Sequence, residues 1–310
     1  MGAHLARAGC DVSVVARGET LAAIERHGLR LNEQDELMAV SVRASSDPSV
    51  LGAQDLVVKA VKSPALPNIM QSVAPLLGPE TTVLIAMNGV HWWFLHGIGG
   101  PLNGQPLHTV DPDGELAKHM PTKRVIGCVV HASRSTIEPG LVRHRLGREL
   151  IIGEPSGGTS PCVRKLAALL KRASFESIVS ERIQRDIWFK LWGNMTMNPV
   201  SAITGATADL ILDDELVRGF MSHVMLEARD IGARIGIPIA QVPEDRHQVT
   251  RKLGALKTSM LQDAESGKSV ELDALVSAVR ELGELAGVGT PFTGALLGLA
   301  RLQFRVRGLN

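Results

Sequence analysis

Tyrosine is absent from this 310-residue sequence, and aromatic residues make up only 3% of it. Any catalytic proton donor must therefore be a side chain other than a tyrosine phenol. No apolar run approaches the roughly 20 residues that a membrane-spanning helix needs, so we predict no transmembrane segment. The start of the chain, MGAHLARAG, lacks the ordered zones of a secretory signal peptide.

Charge and cysteine content narrow the class of protein further. The formal net charge is +1, so nothing in the composition indicates nucleic acid or a membrane as a partner. The three cysteines, Cys10, Cys128 and Cys162, are odd in number and widely spaced. This usage is typical of a reducing cytoplasm and offers no metal-ligand pattern. We therefore predict a cytoplasmic protein and expect no metal site.

The apolar pattern changes along the chain in a way that predicts two domains. Near-continuous apolar strands alternate with helices in the first half, which is typical of a parallel sheet covered on both faces. The predicted strands are 11–17, 55–61, 81–89, 124–132, 140–146 and 149–155, and the predicted helices are 18–28, 63–77 and 160–172. Only helices follow, at 182–196, 206–236, 243–266, 269–287 and 291–306. We place the boundary between an α/β domain and an all-α domain near residue 180.

The glycine fingerprint of a dinucleotide-binding unit, G-x-G-x-x-G after a first strand, does not occur. The start instead resembles the second half of a first helix followed by a second strand. GIGG at 97–100 follows no clean strand and opens no helix, so we interpret it as a loop. One interpretation is that a first strand and glycine loop precede Met1 in the complete protein. The alternative is a chain that binds a dinucleotide weakly or not at all.

A cation and two carboxamides stand in the apolar run IWFKLWGNMTMNP, residues 187–199. Lys190, Asn194 and Asn198 are spaced by four, and each such step returns to within about 40° of the same helix face. A buried cation is costly unless something uses it, so the spacing indicates a site for a small polar molecule. The alternative is a structural lysine with capping amides. Pro199 is expected to end or kink this helix.

Several motifs in the right order resemble the ketopantoate reductase (2-dehydropantoate 2-reductase) family over nearly the whole chain. They are GAHLARAGCDVSVVARG at 2–18, VKS at 61–63, NG at 88–89, FKLWGNMTMNPVSAITG at 189–205, KTSMLQD at 257–263 and VELD at 270–273. The segment NGVHWWF, 88–94, is similar to a branch of relatives for which a substrate other than ketopantoate is an open alternative. Its Trp92–Trp93 pair either packs in the core, which we favour, or lines a pocket.

The resemblance implies a Rossmann-type NADP-binding domain at 1–180, incomplete at its start, and a helical substrate, catalytic and dimerisation domain at 181–310. It places the active site in the cleft between them. It also implies reduction of a 2-oxo acid by NADPH, with 2-dehydropantoate going to pantoate in pantothenate biosynthesis as the leading case. A small 2-oxo acid is thus the expected partner, and a homodimer is a candidate assembly.

The family motif makes Lys190 the proton donor to the alkoxide that hydride addition creates, which agrees with the absence of tyrosine. Asn194 and Asn198 are expected to donate to substrate oxygens, and Ser259 to the substrate carboxylate. Glu271 is expected to accept from a substrate hydroxyl or from the Lys190 ammonium. The structural alternatives are an ordinary polar helix residue at Ser259 and a helix start at Glu271.

The end of the second Rossmann strand predicts the cofactor. Arg17 stands where an NAD enzyme carries an acidic residue, and a guanidinium suits the 2′-phosphate of NADP(H). Lys62 and Asn88 follow the next two strands, where ligands meet an open α/β sheet, and both are expected to contact cofactor or substrate. Lys59 is a weaker substitute for Lys62. Two other functions stay open: a related 2-hydroxyacid or opine-type dehydrogenase, and a non-catalytic remnant.

Overall fold

The computed structural model describes residues 1–60 and 73–309. Most of the predicted helix at 63–77, and Lys62 with it, lies outside the described residues. The α-helices are α1 Gly2–Arg7, α2 Gly18–His27, α3 Glu115–His119, α4 Pro161–Arg172, α5 Ile183–Thr204, α6 Ala208–Asp213, α7 Glu215–Arg234, α8 Pro243–Arg251, α9 Ser259–Glu265, α10 Ala278–Ala286 and α11 Pro291–Val306. A π-helical segment, Asp273–Ser277, leads into α10.

The strands form two sheets. They are β1 Ser13–Val15, β2 Leu29–Glu33, β3 Glu36–Val40, β4 Arg43–Ser45, β5 Gln54–Lys59, β6 Leu77–Ile85, β7 Val125–Glu138, β8 Leu141–Gly153 and β9 Glu176–Val179. β1 and β4 pair in parallel as a two-stranded sheet. The others form a seven-stranded sheet in the order β3-β2-β8-β7-β6-β5, with β9 against β8.

The larger sheet confirms the predicted parallel arrangement for part of its strands and also contains antiparallel pairs. β5, β6 and β7 run parallel to one another, and β7 and β8 form a long antiparallel hairpin. The prediction of separate strands at 140–146 and 149–155 was wrong, because β8 continues through both. Gly147 has φ +79°, and the register shifts opposite it, between His131 and Ser133, so the glycine forms an irregularity within the strand.

The hairpin of β2 and β3 and the short strands β4 and β9 were not predicted. The turn between β2 and β3 consists of Gln34 and Asp35, both with positive φ. Two-residue hairpin turns of this kind usually carry Asn-Gly or Asp-Gly. Because neither glycine nor asparagine marks this one, the turn chemistry gave no signal.

The core of the α/β part lies between the sheet and α4. Leu84, Ile126, Cys128, Leu150 and Ile152 from the strands pack with Val163, Leu166, Ala167 and Leu170 from the helix. The α4 residues recur at three- and four-residue spacing, which gives the helix one apolar face for the sheet. Ser160 caps α4 by accepting from the Val163 backbone N–H at 3.3 Å.

The helical part is organised around α5. Trp188 and Trp192 of α5 are fully buried, and the Trp192 indole donates to the Met225 carbonyl in α7 at 2.7 Å. Of the two alternatives for Pro199, an end to the helix was wrong, since α5 continues to Thr204 with the proline inside it. Asp214 splits the predicted helix 206–236 by capping α7, accepting from Leu216 and Val217 N–H at 3.0 Å each.

Two compact units result. The first comprises the chain up to Ala60, the region of β6 that ends at Ala86, and Lys123–Ile183. The second contains Met87–Thr122 and the chain from Gln184 onward. The Rossmann-type α/β fold followed by a helical C-terminal part is as predicted. No described helix is long and apolar enough to cross a membrane.

Candidate active site

Helix α5 carries the cation and the two carboxamides at successive turns. Lys190 and Asn194 are half-buried, and Asn198 is buried with 6% of its surface exposed. Leu191 and Met195, which directly follow Lys190 and Asn194 in the sequence, are buried in the core. The apolar side thus fixes the helix, and the polar side chains become progressively less accessible along it.

The Lys190 ammonium is held by the turn that follows β6. Its Nζ donates a hydrogen bond of 2.8 Å to Asn88 Oδ1, across 102 positions of sequence. An ammonium group carries three N–H donors, of which Asn88 takes one. Because the amide is neutral, this bond orients the ammonium without cancelling its charge.

The turn with Asn88 is itself fixed by the π-helical segment. Val90 N–H donates to the Ala274 carbonyl at 2.8 Å. Gly89 has φ +86°, and a Cβ placed on it would lie only 2.5 Å from the same carbonyl oxygen. Glycine is therefore required by both backbone conformation and close approach. Glu271, which is half-buried, precedes this contact by three residues, so its segment is anchored to the Asn88 turn.

Ser259 occupies a different environment. It is exposed as the first residue of α9, and the preceding Thr258 caps the helix by accepting from Leu261 N–H at 3.2 Å. No hydrogen bond among the described residues joins Ser259 to Lys190, Asn194 or Asn198. Its assignment to the substrate carboxylate stays a prediction, and the local geometry agrees equally with a polar first-turn residue.

Arg17 is the predicted cofactor residue of the first unit, whereas Lys62 lies outside the described residues. Arg17 is exposed, follows β1, and directly precedes α2 as its N-terminal boundary residue. An accessible guanidinium beside a helix N-terminus has the donor chemistry that a phosphate needs, so Arg17 fits the 2′-phosphate of NADP(H). Lys59, the last residue of β5, is buried, and burial lowers its pKa to about 8.

A second guanidinium, which the sequence analysis did not single out, packs on α5. Arg246 of α8 lies over Gly193, where a Cβ would stand 2.5 Å from its Nε. Its Cζ is 5.7 Å from the centre of the Phe189 ring. Nothing in the sequence around Arg246 separates it from a surface arginine on an amphipathic helix, because the contact depends on the packing of α8 against α5.

Trp92 and Trp93 are buried and also line a cavity of about 330 Å³. The cavity wall includes His96, Leu107 and Asp111. Core packing, which we favoured, and pocket lining are therefore both true of this pair.

Comparison with known proteins agrees with this architecture. The family model "Ketopantoate reductase PanE/ApbA" matches residues 1–93, and "Ketopantoate reductase PanE/ApbA C terminal" matches residues 182–303. A 2-dehydropantoate 2-reductase of Mesorhizobium japonicum is 45% identical over 309 residues, covering 99% of this chain and 95% of the relative.

Solved structures show the same similarity. A candidate ketopantoate reductase from Ralstonia solanacearum MolK2 superposes with a TM-score of 0.96 at 55% identity, covering 100% of this chain and 95% of that one. A PanE/ApbA family ketopantoate reductase from Ralstonia eutropha JMP134 gives 0.83 at 28% identity, with 99% and 95% covered. The resemblance seen in the motifs is thereby confirmed, and the chain belongs to the ketopantoate reductase family.

Proposed function

We propose that this protein, an oxidoreductase by its family, uses NADPH to reduce a 2-oxo acid, with 2-dehydropantoate as the substrate and pantoate as the product. The observation that carries the proposal is the half-buried Lys190 ammonium, oriented by Asn88 on a helix that also bears Asn194 and Asn198. The curated relative at 45% identity is named for this reaction.

Lys190 acts as the general acid in this proposal. Reduction turns the ketone oxygen into an alkoxide, which needs a positioned proton donor. The cofactor, when bound, supplies the hydride. The Lys190 ammonium first donates a hydrogen bond to the ketone oxygen and then transfers its proton as negative charge develops there. Asn88 keeps the Nζ in place through its carbonyl oxygen, and because the amide is neutral this bond does not itself neutralise the ammonium.

The neighbouring side chains bind and orient the substrate. Asn194, one turn from Lys190, offers an amide N–H to the substrate oxygens, and Asn198 extends the same row of donors toward the buried end of the helix. Glu271, anchored near the Asn88 turn, accepts a hydrogen bond from a substrate hydroxyl. An ionised carboxylate can accept such a bond, but it would be repelled by the carboxylate of the substrate. Ser259 donates to the carboxylate of the substrate.

Arg17 holds the 2′-phosphate of NADP(H) in this proposal, with Lys62 as a second cofactor contact. Arg17→Asp should raise the KM for NADPH much more than the KM for NADH, because only the former carries the phosphate that the guanidinium binds. Arg26→Asp, on the exposed last turn of α2, is a matched charge reversal. Equal losses for both cofactors in Arg17→Asp would remove the phosphate assignment.

A substrate screen tests the reaction itself. NADPH oxidation should be fastest with 2-dehydropantoate and at least tenfold slower, in kcat/KM, with pyruvate or 2-oxoisovalerate. A clear preference for another 2-oxo acid would move the protein to the related 2-hydroxyacid or opine-type dehydrogenases. No turnover together with no saturable NADPH binding would indicate the non-catalytic alternative. A homodimer and a cytoplasmic location complete the proposal.

A further inference from the structure

The Arg246 guanidinium occupies space that only a glycine at position 193 leaves open. A Cβ on Gly193 would lie 2.5 Å from Nε, 3.0 Å from Nη2 and 3.2 Å from Cζ of Arg246. Gly193 stands in the middle of α5, where glycine costs about 1 kcal/mol of helix stability relative to alanine. The chain thus carries an unfavourable helix residue at the point where this guanidinium docks.

The docked guanidinium packs on the side of α5 that is next to Lys190. Gly193 is three residues after Lys190, which places it about 60° around the helix from the lysine, while Asn194 lies about 40° away on the other side. Side chains three and four residues apart on a helix are neighbours, about 5–6 Å apart at Cβ. Arg246 therefore packs beside Lys190, on the side of the helix that carries Gly193 and Phe189, with its Cζ 5.7 Å from the centre of the Phe189 ring.

Arg246 has no anionic partner in the described part of the chain. Its Nε is buried without a hydrogen-bond acceptor, and burial lowers the pKa of the guanidinium. Two other partly exposed arginines do have anionic partners: Arg251, on the same helix, binds Asp213 at 2.7 Å, and Arg148 binds Glu33 at 2.6 Å. A partly buried, uncompensated cation is costly and persists where a ligand supplies the counter-charge.

We propose that Arg246 binds the carboxylate of the 2-oxo acid substrate and thereby determines that the enzyme accepts acids. The inference rests on the proposed function. In a 2-oxo acid the carboxylate and the ketone are on adjacent carbon atoms, so an anchor for the first must lie beside the proton donor for the second. A guanidinium offers two parallel N–H donors that match a carboxylate, which the single hydroxyl of Ser259 does not.

The test compares a 2-oxo acid with its neutral carboxamide in the full-length enzyme. Wild type should prefer 2-dehydropantoate over the corresponding 2-oxo amide by about 10- to 100-fold in kcat/KM, the range expected for a hydrogen bond to a charged group. Arg246→Gln should raise the KM for the acid by a similar factor, leave the KM for NADPH within about twofold, and abolish most of the preference. Arg251→Gln, which removes a partnered arginine from the same helix, should keep the wild-type preference.

A second variant moves the guanidinium without removing its charge. Gly193→Ala places a methyl group against Nε and should raise the KM for the acid, while the unfolding midpoint stays the same or rises because alanine favours the helix. Gly298→Ala in α11, where nothing lies within 4 Å, is the matched control and should leave KM unchanged. If Arg246→Gln fails to fold, this pair decides the question.

The outcomes separate the inference from the proposed function. An active Arg246→Gln enzyme with wild-type KM for the acid and an unchanged acid-to-amide preference overturns the inference and leaves the reductase assignment intact. A rise in the KM for NADPH alone also overturns it, by making Arg246 a cofactor contact. Absence of 2-oxo acid reduction in the wild-type protein overturns the proposed function itself.

Discussion

Replacing Gly89 by alanine tests how the Lys190 partner is positioned. Gly89 has φ +86°, and a Cβ on it would approach the Ala274 carbonyl oxygen to 2.5 Å and its carbon to 2.7 Å. Contacts under 3 Å to backbone atoms cannot be relieved by moving a side chain. The turn with Asn88 or the π-helical segment with Ala274 must shift, and the hydrogen bond from Val90 to Ala274 must weaken.

Two costs contribute to the loss of stability in Gly89→Ala. A left-handed backbone conformation costs an alanine roughly 1–2 kcal/mol. Overpacking a well-filled site costs about 1–3 kcal/mol more. We therefore expect the free energy of unfolding to fall by about 2–5 kcal/mol. Displacement of Asn88 from Lys190 should also reduce kcat by about 10- to 100-fold, since small misplacements of catalytic groups have effects of that size.

Gly99→Ala separates the two costs. Gly99 has φ +81° but nothing within 4 Å of its Cβ position, so alanine there meets the conformational cost alone. All four tryptophans lie in the second unit, and denaturant titration followed by tryptophan fluorescence therefore reports on the unit that holds both glycines. Equal loss of stability in the two variants, with kcat unchanged in Gly89→Ala, would refute the close-approach argument.

Two further predictions concern the stability of the second unit. The buried Glu227 carboxylate accepts from Phe292 and Thr293 N–H, at 2.8 Å each, at the start of α11. Glu227→Ala should lower the free energy of unfolding by about 3–5 kcal/mol because it leaves buried donors unsatisfied. Asp230→Ala, on the exposed side of α7, is the control and should change the free energy of unfolding by less than about 0.5 kcal/mol. Equal losses of stability in the two variants would contradict the role of the Glu227 contacts. Burial lowers the pKa of His91 from 6.5 to about 4, so below pH 6.5 only the unfolded chain takes up its proton. Between pH 7 and pH 4, the free energy of unfolding, followed by tryptophan fluorescence, should therefore fall by about 3 kcal/mol more in wild type than in His91→Gln. If the free energies of the two proteins fall in parallel with pH, His91 is not buried in its neutral form.

The sequence predicted the elements whose signals are local. The apolar strands β5 and β6 and the long helix α5 follow from periodicity and length, and the four-residue spacing of Lys190, Asn194 and Asn198 follows from helix geometry. The change of the apolar pattern near residue 180 predicted the order of the two domains, and the motifs that resemble the ketopantoate reductase family added the Rossmann-type assignment of the first. None of these features depends on which distant segments of the chain touch.

The features that escaped prediction depend on contacts between distant segments or on unmarked backbone conformations. The bond from Lys190 to Asn88 spans 102 positions, and its geometry depends on the approach of Gly89 to Ala274. The docking of Arg246 on Gly193 has no sequence pattern of its own. The glycine in the middle of α5 gave a weak signal, because an unexplained helical glycine often marks a close approach.

Two expectations about where an element ends were also wrong, one at a proline and one near a glycine. Pro199 was expected to end or kink α5, and the helix does not end there, because packing of its buried face outweighs one missing hydrogen bond. Strands at 140–146 and 149–155 were predicted separately, but the pairing of β8 with β7 continues past Gly147 between them. In both cases tertiary contacts outweighed a local preference.

The most direct measurement is the single-turnover rate of NADPH oxidation by Lys190→Ala with saturating 2-oxo acid. Loss of the general acid should lower this rate by about 10²- to 10⁴-fold while the affinity for NADPH stays within about twofold. Lys252→Ala, which removes an exposed lysine just beyond α8, should retain the wild-type rate. A Lys190→Ala rate within a few-fold of wild type would contradict the assignment of Lys190 as the proton donor.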